Sequence, residues 1–189
     1  MERNLESYVK IFRGAIDKKL CTQTLKLLKD ESIWIKHSYH DEINNVDHSY
    51  DDDLDNTKAP IKNHDVMMSV IYENIRRYIG ELDLPFYNGW NGFSGVRYNR
   101  YNPGTNMKIH CDHINTIFDG KVRGIPTLTI LGLLNDDFEG GEFTLFHDKE
   151  DVIDLRKGDI IMFPSIFLYP HKVNSVTKGV RYSFVSWAW

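Results

Sequence analysis

Cysteine is scarce in this chain: Cys21 and Cys111 are the only two, far apart and without metal-type spacing. That excludes a disulfide-built scaffold and a thiolate zinc site, and reads as two reduced thiols in a reducing compartment. Long apolar runs are missing as well; none approaches the roughly 18 residues of a membrane span. The opening residues Met1-Glu2-Arg3-Asn4 lack the apolar stretch of a secretory signal, so a cytoplasmic protein is expected. There is no surplus of positive charge. With 23 basic and 27 acidic side chains the formal net charge is −4, which argues against a general nucleic-acid binder and leaves room only for a local basic groove. Internal repeats and low-complexity segments are absent too. What is present, 189 residues with 41% hydrophobic and 26% charged, suits one soluble domain, expected as a monomer without a membrane partner.

Two textures divide the chain. Over residues 1–90 the pattern is helical. Asp17 offers an N-cap to a helix carrying Leu20, Leu25, Leu27 and Leu28 and ending near Asp30. A second helix is expected over 63–81, with Val66, Met67, Val70, Ile71, Ile75 and Ile79 as a core-facing stripe. Residues 6–12 read as a short edge strand and 33–39 as extended chain. The acidic stretch 41–56 reads as a solvated loop, with a lid over substrate as the functional alternative. From 91 to 189 short β-rich runs alternate with turn signals: 92–101, 107–112, 126–134, 141–146, 151–154, 159–163, 171–176 and 180–188. Asn135-Asp136-Asp137, Gly140-Gly141 and Lys157-Gly158-Asp159 supply turns. The expected fold is α+β, mainly β with N-terminal helices, its core a sandwich or jelly roll. The whole of 1–189 is one domain, with 1–90 a helical support layer and 91–189 the β-core holding every candidate ligand.

The chemistry concentrates in that core. In His110-Cys111-Asp112, an extended backbone points residues i and i+2 to one face, so His110 and Asp112 converge while Cys111 turns away. His171 can arrive from a distant strand. Two histidines and one carboxylate are the ligand set of a non-haem Fe(II) site with three open positions. Ten residues on stands Arg181, whose planar fork suits a dicarboxylate such as 2-oxoglutarate. Alternation along the last strand puts Arg181, Ser183, Val185 and Trp187 on one face. An arginine facing a barrel interior needs an anionic partner, and a ligand carboxylate with Ser183 as a further donor would supply it. The alternative is a polar face turned to solvent.

These residues carry a resemblance. From about Val96 to Trp187 the chain resembles the 2-oxoglutarate/Fe(II) dioxygenases of the prolyl 4-hydroxylase superfamily. The matching segments run in order: Arg100-Tyr101-Asn102-Pro103-Gly104, His110-Cys111-Asp112, Leu134-Asn135 before Gly140-Gly141-Glu142-Phe143, Gly158-Asp159 through Phe163-Pro164, His171-Lys172-Val173, and Gly179-Val180-Arg181-Tyr182-Ser183. The resemblance implies a double-stranded β-helix, with iron on His110, Asp112 and His171. It also implies Arg181 on the C5 carboxylate of 2-oxoglutarate, Tyr101 as a hydroxyl donor to the co-substrate, and Trp187 lining the site. Fe(II), 2-oxoglutarate and O2 are the implied cofactor and co-substrates, with ascorbate as a reductant. The implied reaction is hydroxylation of a prolyl residue in a peptide or protein, with succinate and CO2 as co-products.

Two departures stand out. Met107 occupies a position where many prolyl hydroxylases place a tyrosine near substrate, and Leu133 one where some relatives carry a tyrosine contacting 2-oxoglutarate. Asp112, where halogenases carry Ala or Gly, disfavours that chemistry. The competing readings are a dioxygenase for a free amino acid, another side chain or an alkylated nucleobase, a cupin-like metal enzyme, and a non-catalytic jelly-roll module. The last should lack one ligand or the arginine, and this chain has all four. His113 is read as a histidine beside the site, His147 as surface, Arg123 as a solvated charge, Tyr98 as a packed aromatic. His37, His40, His48 and His64 show no ligand spacing.

Overall fold

Period-two alternation along the β-rich half sorts side chains into two layers, and the sheet topology follows from that sorting. The structure, a computed structural model, describes residues 4–41, 44–112, 126–146 and 151–189. His113, Arg123 and His147 lie outside the described residues. The elements are β1 (Lys10–Phe12), α1 (Lys18–Leu27), β2 (Ile35–Lys36), β3 (Tyr39–Asp41), β4 (Val46–His48), β5 (Asp55–Thr57), α2 (His64–Leu82), β6 (Arg97–Tyr101), β7 (Met107–His110), β8 (Leu128–Leu133), β9 (Glu139–Gly140), β10 (Phe143–Leu145), β11 (Asp151–Ile153), β12 (Ile160–Pro164), β13 (His171–Val173), β14 (Val176–Lys178) and β15 (Arg181–Ala188).

A seven-stranded sheet in the order β1-β12-β8-β15-β6-β5-β2 faces a four-stranded sheet, β11-β10-β13-β7. All pairings in both are antiparallel. This is the double-stranded β-helix expected. Strands β8 and β15 sit at the centre of the large sheet, and all six residues of β8 are buried. Buried on both faces, β8 reads as a nearly unbroken apolar run (Leu-Thr-Ile-Leu-Gly-Leu), while β15 places Arg181 and Ser183 among its apolar residues.

Each central strand serves two cores. Leu128, Ile130, Ile160, Met162, Tyr98, Phe184 and Ala188 point outward and pack under the helices. Leu131, Ile161, Phe163 and Tyr101 point inward against Phe143, Leu145 and Val173 of the small sheet. The helices complete the outer layer. Asp17 caps α1, its carboxylate accepting from the backbone N–H groups of Lys19 (2.8 Å) and Leu20 (3.3 Å). In α2, Met67, Ile71, Ile75, Tyr78 and Leu82 recur at helical spacing and are all buried. Val66 does not join them: it is 54% exposed, because its position beside Met67 turns it about 100° round the helix to solvent.

The N-terminal region differs from its expected reading in detail. Leu5–Tyr8 is a 3-10 turn, and the edge strand is confined to Lys10–Phe12. The stretch read as a solvated loop contributes the β3/β4 hairpin and strand β5, which pairs with β6. Asp47 and Asp51 are exposed, but Asp55 accepts from Arg100 (3.0 Å) and Asn102 (3.0 Å). Cross-strand polar pairing satisfies a ladder that composition alone would have assigned to solvent.

Candidate metal centre and co-substrate pocket

Strands β7 and β13 bring the candidate ligands together, because His110 and His171 are register partners across an antiparallel pair. Their ring centroids lie 4.3 Å apart. Strand β7 ends at His110 and the chain bends at Asp112, which still swings the carboxylate back toward both imidazoles. Oδ1 is 3.4 Å from His110 Nε2 and Oδ2 is 3.7 Å from His171 Nε2. One ligand atom from each of the three lies within 4.8 Å of the others, a spacing that one ion can bridge.

The imidazoles are oriented by their own backbone. Nδ1 of His110 is 2.8 Å from the Lys108 carbonyl oxygen, and Nδ1 of His171 is 3.2 Å from that of Tyr169. A carbonyl accepts only, so each Nδ1 carries the proton and each Nε2 lone pair faces the centre. Asp112 accepts from the Thr129 hydroxyl at 2.7 Å, and Thr129 lies 2.9 Å from Ser165. Burial pushes the Asp112 carboxyl up, but His171, His110 and the Thr129 hydroxyl outweigh it and hold the group well below the ordinary carboxylate range. Burial pushes His171 down to about 4, against the opposing pull of Asp112. An anionic carboxylate and neutral imidazoles are the forms that bind a metal.

Deeper in the barrel Arg181 is 1% exposed. Its Nη1 donates to Ser183 Oγ at 3.0 Å, its guanidinium lies 5.0 Å from the Tyr101 ring centroid, and its Nε has no partner. Among the described residues no carboxylate lies within ion-pair distance of it, a costly arrangement for a buried cation. Its position is imposed by Asn135, whose side chain accepts from the Tyr182 N–H (2.7 Å) and donates to the Val180 carbonyl (2.7 Å). Those groups flank Arg181 on both sides. Gly141, at φ +67°, leaves the room: a Cβ there would stand 3.0 Å from Arg181 Cδ and 2.9 Å from Val176. Arg181, Leu133, Phe138, Gly141 and Phe143 line a cavity of about 230 Å³. Glu142 and Asp154 also line the cavity, and Phe143 on its wall packs against the His171 ring; a buried guanidinium with an unfilled donor there fits a carboxylate ligand.

The structure thus gathers His110, Asp112, His171, Arg181, Tyr101 and Ser183 in one interior. Tyr101 and Ser183 both stand beside the Arg181 guanidinium. Trp187 lies on the same face of β15, with Arg97 4.9 Å over its ring. Met107 is buried and takes the Tyr39 hydroxyl on its sulfur at 3.5 Å. Tyr98 packs in the outer core, as read. Sequence reasoning missed Thr129, Asn135, Arg97, Asn99, His37 and Tyr39. Period-two alternation through Tyr101 would have found Arg97 and Asn99; nothing local marks His37 or Tyr39, which arrive from the hairpin region.

Comparison with known proteins follows the same lines. The model of the 2OG-Fe(II) oxygenase superfamily matches residues 96–189. A PKHD-type hydroxylase of Delftia acidovorans is 35% identical over 98 residues, 48% of this chain and 41% of its own length. Another, from Idiomarina loihiensis, is 38% identical over 93 residues, covering 49% and 40%. The matched part spans about two fifths of these curated relatives. Two solved structures share the fold across nearly the whole chain. A viral collagen prolyl hydroxylase from Paramecium Bursaria Chlorella virus-1, in its 2OG complex, has a TM-score of 0.68 at 18% identity and covers 96% of this chain and 94% of its own. A prolyl hydroxylase from Trichoplax adhaerens, bound to a hypoxia-inducible-factor peptide fragment, has a TM-score of 0.70 at 18% identity, covering 97% and 84%.

Proposed function

The chain belongs to the 2OG-Fe(II) oxygenase superfamily, and we propose that it acts as an Fe(II)- and 2-oxoglutarate-dependent dioxygenase that hydroxylates a prolyl residue in a peptide or protein. The observation that carries the reading is Arg181, a fully buried guanidinium with no anionic partner among the described residues, in the same interior as the His110/Asp112/His171 cluster.

In this reading His110, Asp112 and His171 would hold Fe(II), and 2-oxoglutarate and O2 would bind with it. The bound iron supplies the oxidative chemistry: one oxygen atom of O2 enters the substrate C–H bond as hydroxyl, the other enters succinate, and CO2 leaves. The protein's part is geometry. Arg181 grips the C5 carboxylate, with Tyr101 and Ser183 as hydroxyl donors beside it. Asn135 keeps Arg181 from tilting, and the backbone carbonyls of Lys108 and Tyr169 keep both Nε2 atoms aimed. Phe143 and Phe163 pack against the His171 ring and exclude water there. Met107 and Trp187 face the substrate side, with the β3/β4 hairpin as the segment that closes over it. Support for a prolyl peptide comes from the relatives: PKHD-type hydroxylases by sequence, and two prolyl hydroxylases by fold.

The test begins without oxygen. Fe(II) and 2-oxoglutarate added to the protein should raise a visible charge-transfer band. Admitting O2 and ascorbate with proline-rich peptides should then yield succinate and a peptide heavier by one oxygen atom. A band without peptide-stimulated succinate would keep the dioxygenase and reject the prolyl substrate in favour of a free amino acid or another side chain. Absence of both the band and 2-oxoglutarate binding would sink the reading entirely.

A further inference from the structure

A second arginine stands inside the same barrel. On β6 the inward positions are Arg97, Asn99 and Tyr101, paired in register with Val185, Ser183 and Arg181 of β15. Tyr101 therefore marks the Arg181 end. Arg97 lies four residues away, about 13 Å along the strand, at the opposite end of the site. Its guanidinium sits 4.9 Å over the Trp187 ring, and its Nε is enclosed without a hydrogen-bond partner. Asn99, on the same face, has a carbonyl oxygen equally without a partner. Among the described residues no carboxylate lies within ion-pair distance of Arg97.

The surroundings say what the group is for. Asp112 is near enough to favour the Arg97 charge, as are the Tyr39 and Tyr101 phenols, and burial opposes it. Asp112 is committed elsewhere, to the Thr129 hydroxyl and the two imidazoles. An arginine used only to cover a tryptophan keeps its head in water. Arg97 is half-buried, yet its Nε is enclosed and left unfilled, which costs free energy until an acceptor arrives. The acceptor cannot be the carboxylate that Arg181 holds, since the two arginines stand at opposite ends of β6. Near Arg97 instead are the half-buried His37 and Tyr39, from the hairpin side of the molecule.

We propose that Arg97, backed by Trp187 and Asn99, is a carboxylate-binding subsite for the primary substrate. The residue to be hydroxylated then stands beside an acidic side chain or carries a free C-terminal carboxylate. A planar guanidinium takes two carboxylate oxygens at once and holds the reacting residue in register with the metal centre. The subsite rests on the dioxygenase reading and narrows its substrate.

Protein loaded with Zn(II) and 2-oxoglutarate, which cannot turn over, allows a direct test by titration calorimetry. Three probe pairs are compared: amide-capped Asp-Pro against Asn-Pro, N-acetylproline against N-acetylprolinamide, and N-acetylglycine against N-acetylglycinamide. In at least one pair the acid should bind about tenfold tighter than its neutral partner. The Asp-Pro pair would identify a side-chain carboxylate, the acetylproline pair a terminal one. Arg97→Gln should erase the discrimination and Arg97→Lys should keep part of it, with 2-oxoglutarate affinity unchanged in both. If Arg97→Gln does not fold, the partial loss in Arg97→Lys carries the test. The subsite is overturned if no pair discriminates in the unmodified protein, if discrimination survives the substitution, or if 2-oxoglutarate affinity falls with it. The glycine pair separates the two readings: an acetylglycine bound as tightly as acetylproline rejects the prolyl substrate and leaves the subsite standing.

Discussion

The two faces of the seven-stranded sheet are built from the same strands and do opposite work. The outer face, under α1 and α2, is apolar: Leu128, Ile130, Ile160, Met162 and Phe184 are buried there to within 1% exposure. The inner face carries Thr129, Arg97, Asn99, Arg181 and Ser183 among its apolar residues. Several of its polar atoms, Arg97 Nε, Asn99 Oδ1, Arg181 Nε and Trp187 Nε1, have no partner. Apolar packing is concentrated on one face, and most of the sheet's unmet hydrogen-bonding capacity on the other, the Tyr98 hydroxyl of the outer face excepted. A strand's period of two makes this division possible, since adjacent residues never compete for the same side.

Substitutions on the two faces should therefore separate stability from ligand binding. The largest effect is expected at the metal centre. Asp112→Ala removes the one anionic member of the proposed ligand set and should abolish Fe(II) or Zn(II) binding by calorimetry, with the fold retained by circular dichroism. Metal affinity near that of the parent protein would remove Asp112 from the ligand set.

The sharpest contrast pairs Ile130→Ala with Arg181→Met. The first opens a cavity in the outer core and should cost about 2–5 kcal/mol of unfolding free energy, with 2-oxoglutarate affinity unchanged in the folded protein. The second should weaken 2-oxoglutarate by at least about thirtyfold. It should leave the ligand-free protein as stable or more stable by about 1–4 kcal/mol, because an uncompensated buried charge is gone. Denaturant titrations with and without 2-oxoglutarate distinguish the two. A large destabilisation by Arg181→Met would mean that the guanidinium has a structural partner.

A smaller effect should appear with pH. Burial holds His171 at about 4 in the folded protein against an ordinary 6.5, and partial burial with the Arg97 charge nearby holds the half-buried His37 likewise at about 4. Between those values the unfolded chain binds more protons than the folded one, so metal-free stability should fall as pH drops from about 6.5 to about 4. Asp112, held low, extends the loss further into acid. His37→Gln should flatten part of the slope without changing metal affinity; an unchanged slope would show that His37 is not buried in solution.

Legibility along the chain followed the range of the interactions. The helices were readable because α2 repeats its apolar residues at the helical period, and Asp17 caps α1 with its own backbone neighbours. His110, His171, Arg181 and Ser183 were readable because each lies on a strand whose alternation sets its direction, whereas Asp112 stands at a bend just past the end of β7. The hairpin was not. Asp55 reads as a solvated acid until Arg100, 45 residues on, stands opposite it. Arg97 was passed over because a lone arginine on a strand looks like surface until Trp187 stands against it.

By itself the sequence determined the candidate ligand set, the arginine that faces the barrel interior and the division into helices followed by strands, since periodicity and side-chain chemistry are local. Only the tertiary structure decided which polar atoms are left without partners. Hydrogen-bond satisfaction is settled by groups that meet across strands far apart in the chain, so the second arginine gained its meaning only when the sheets closed around it.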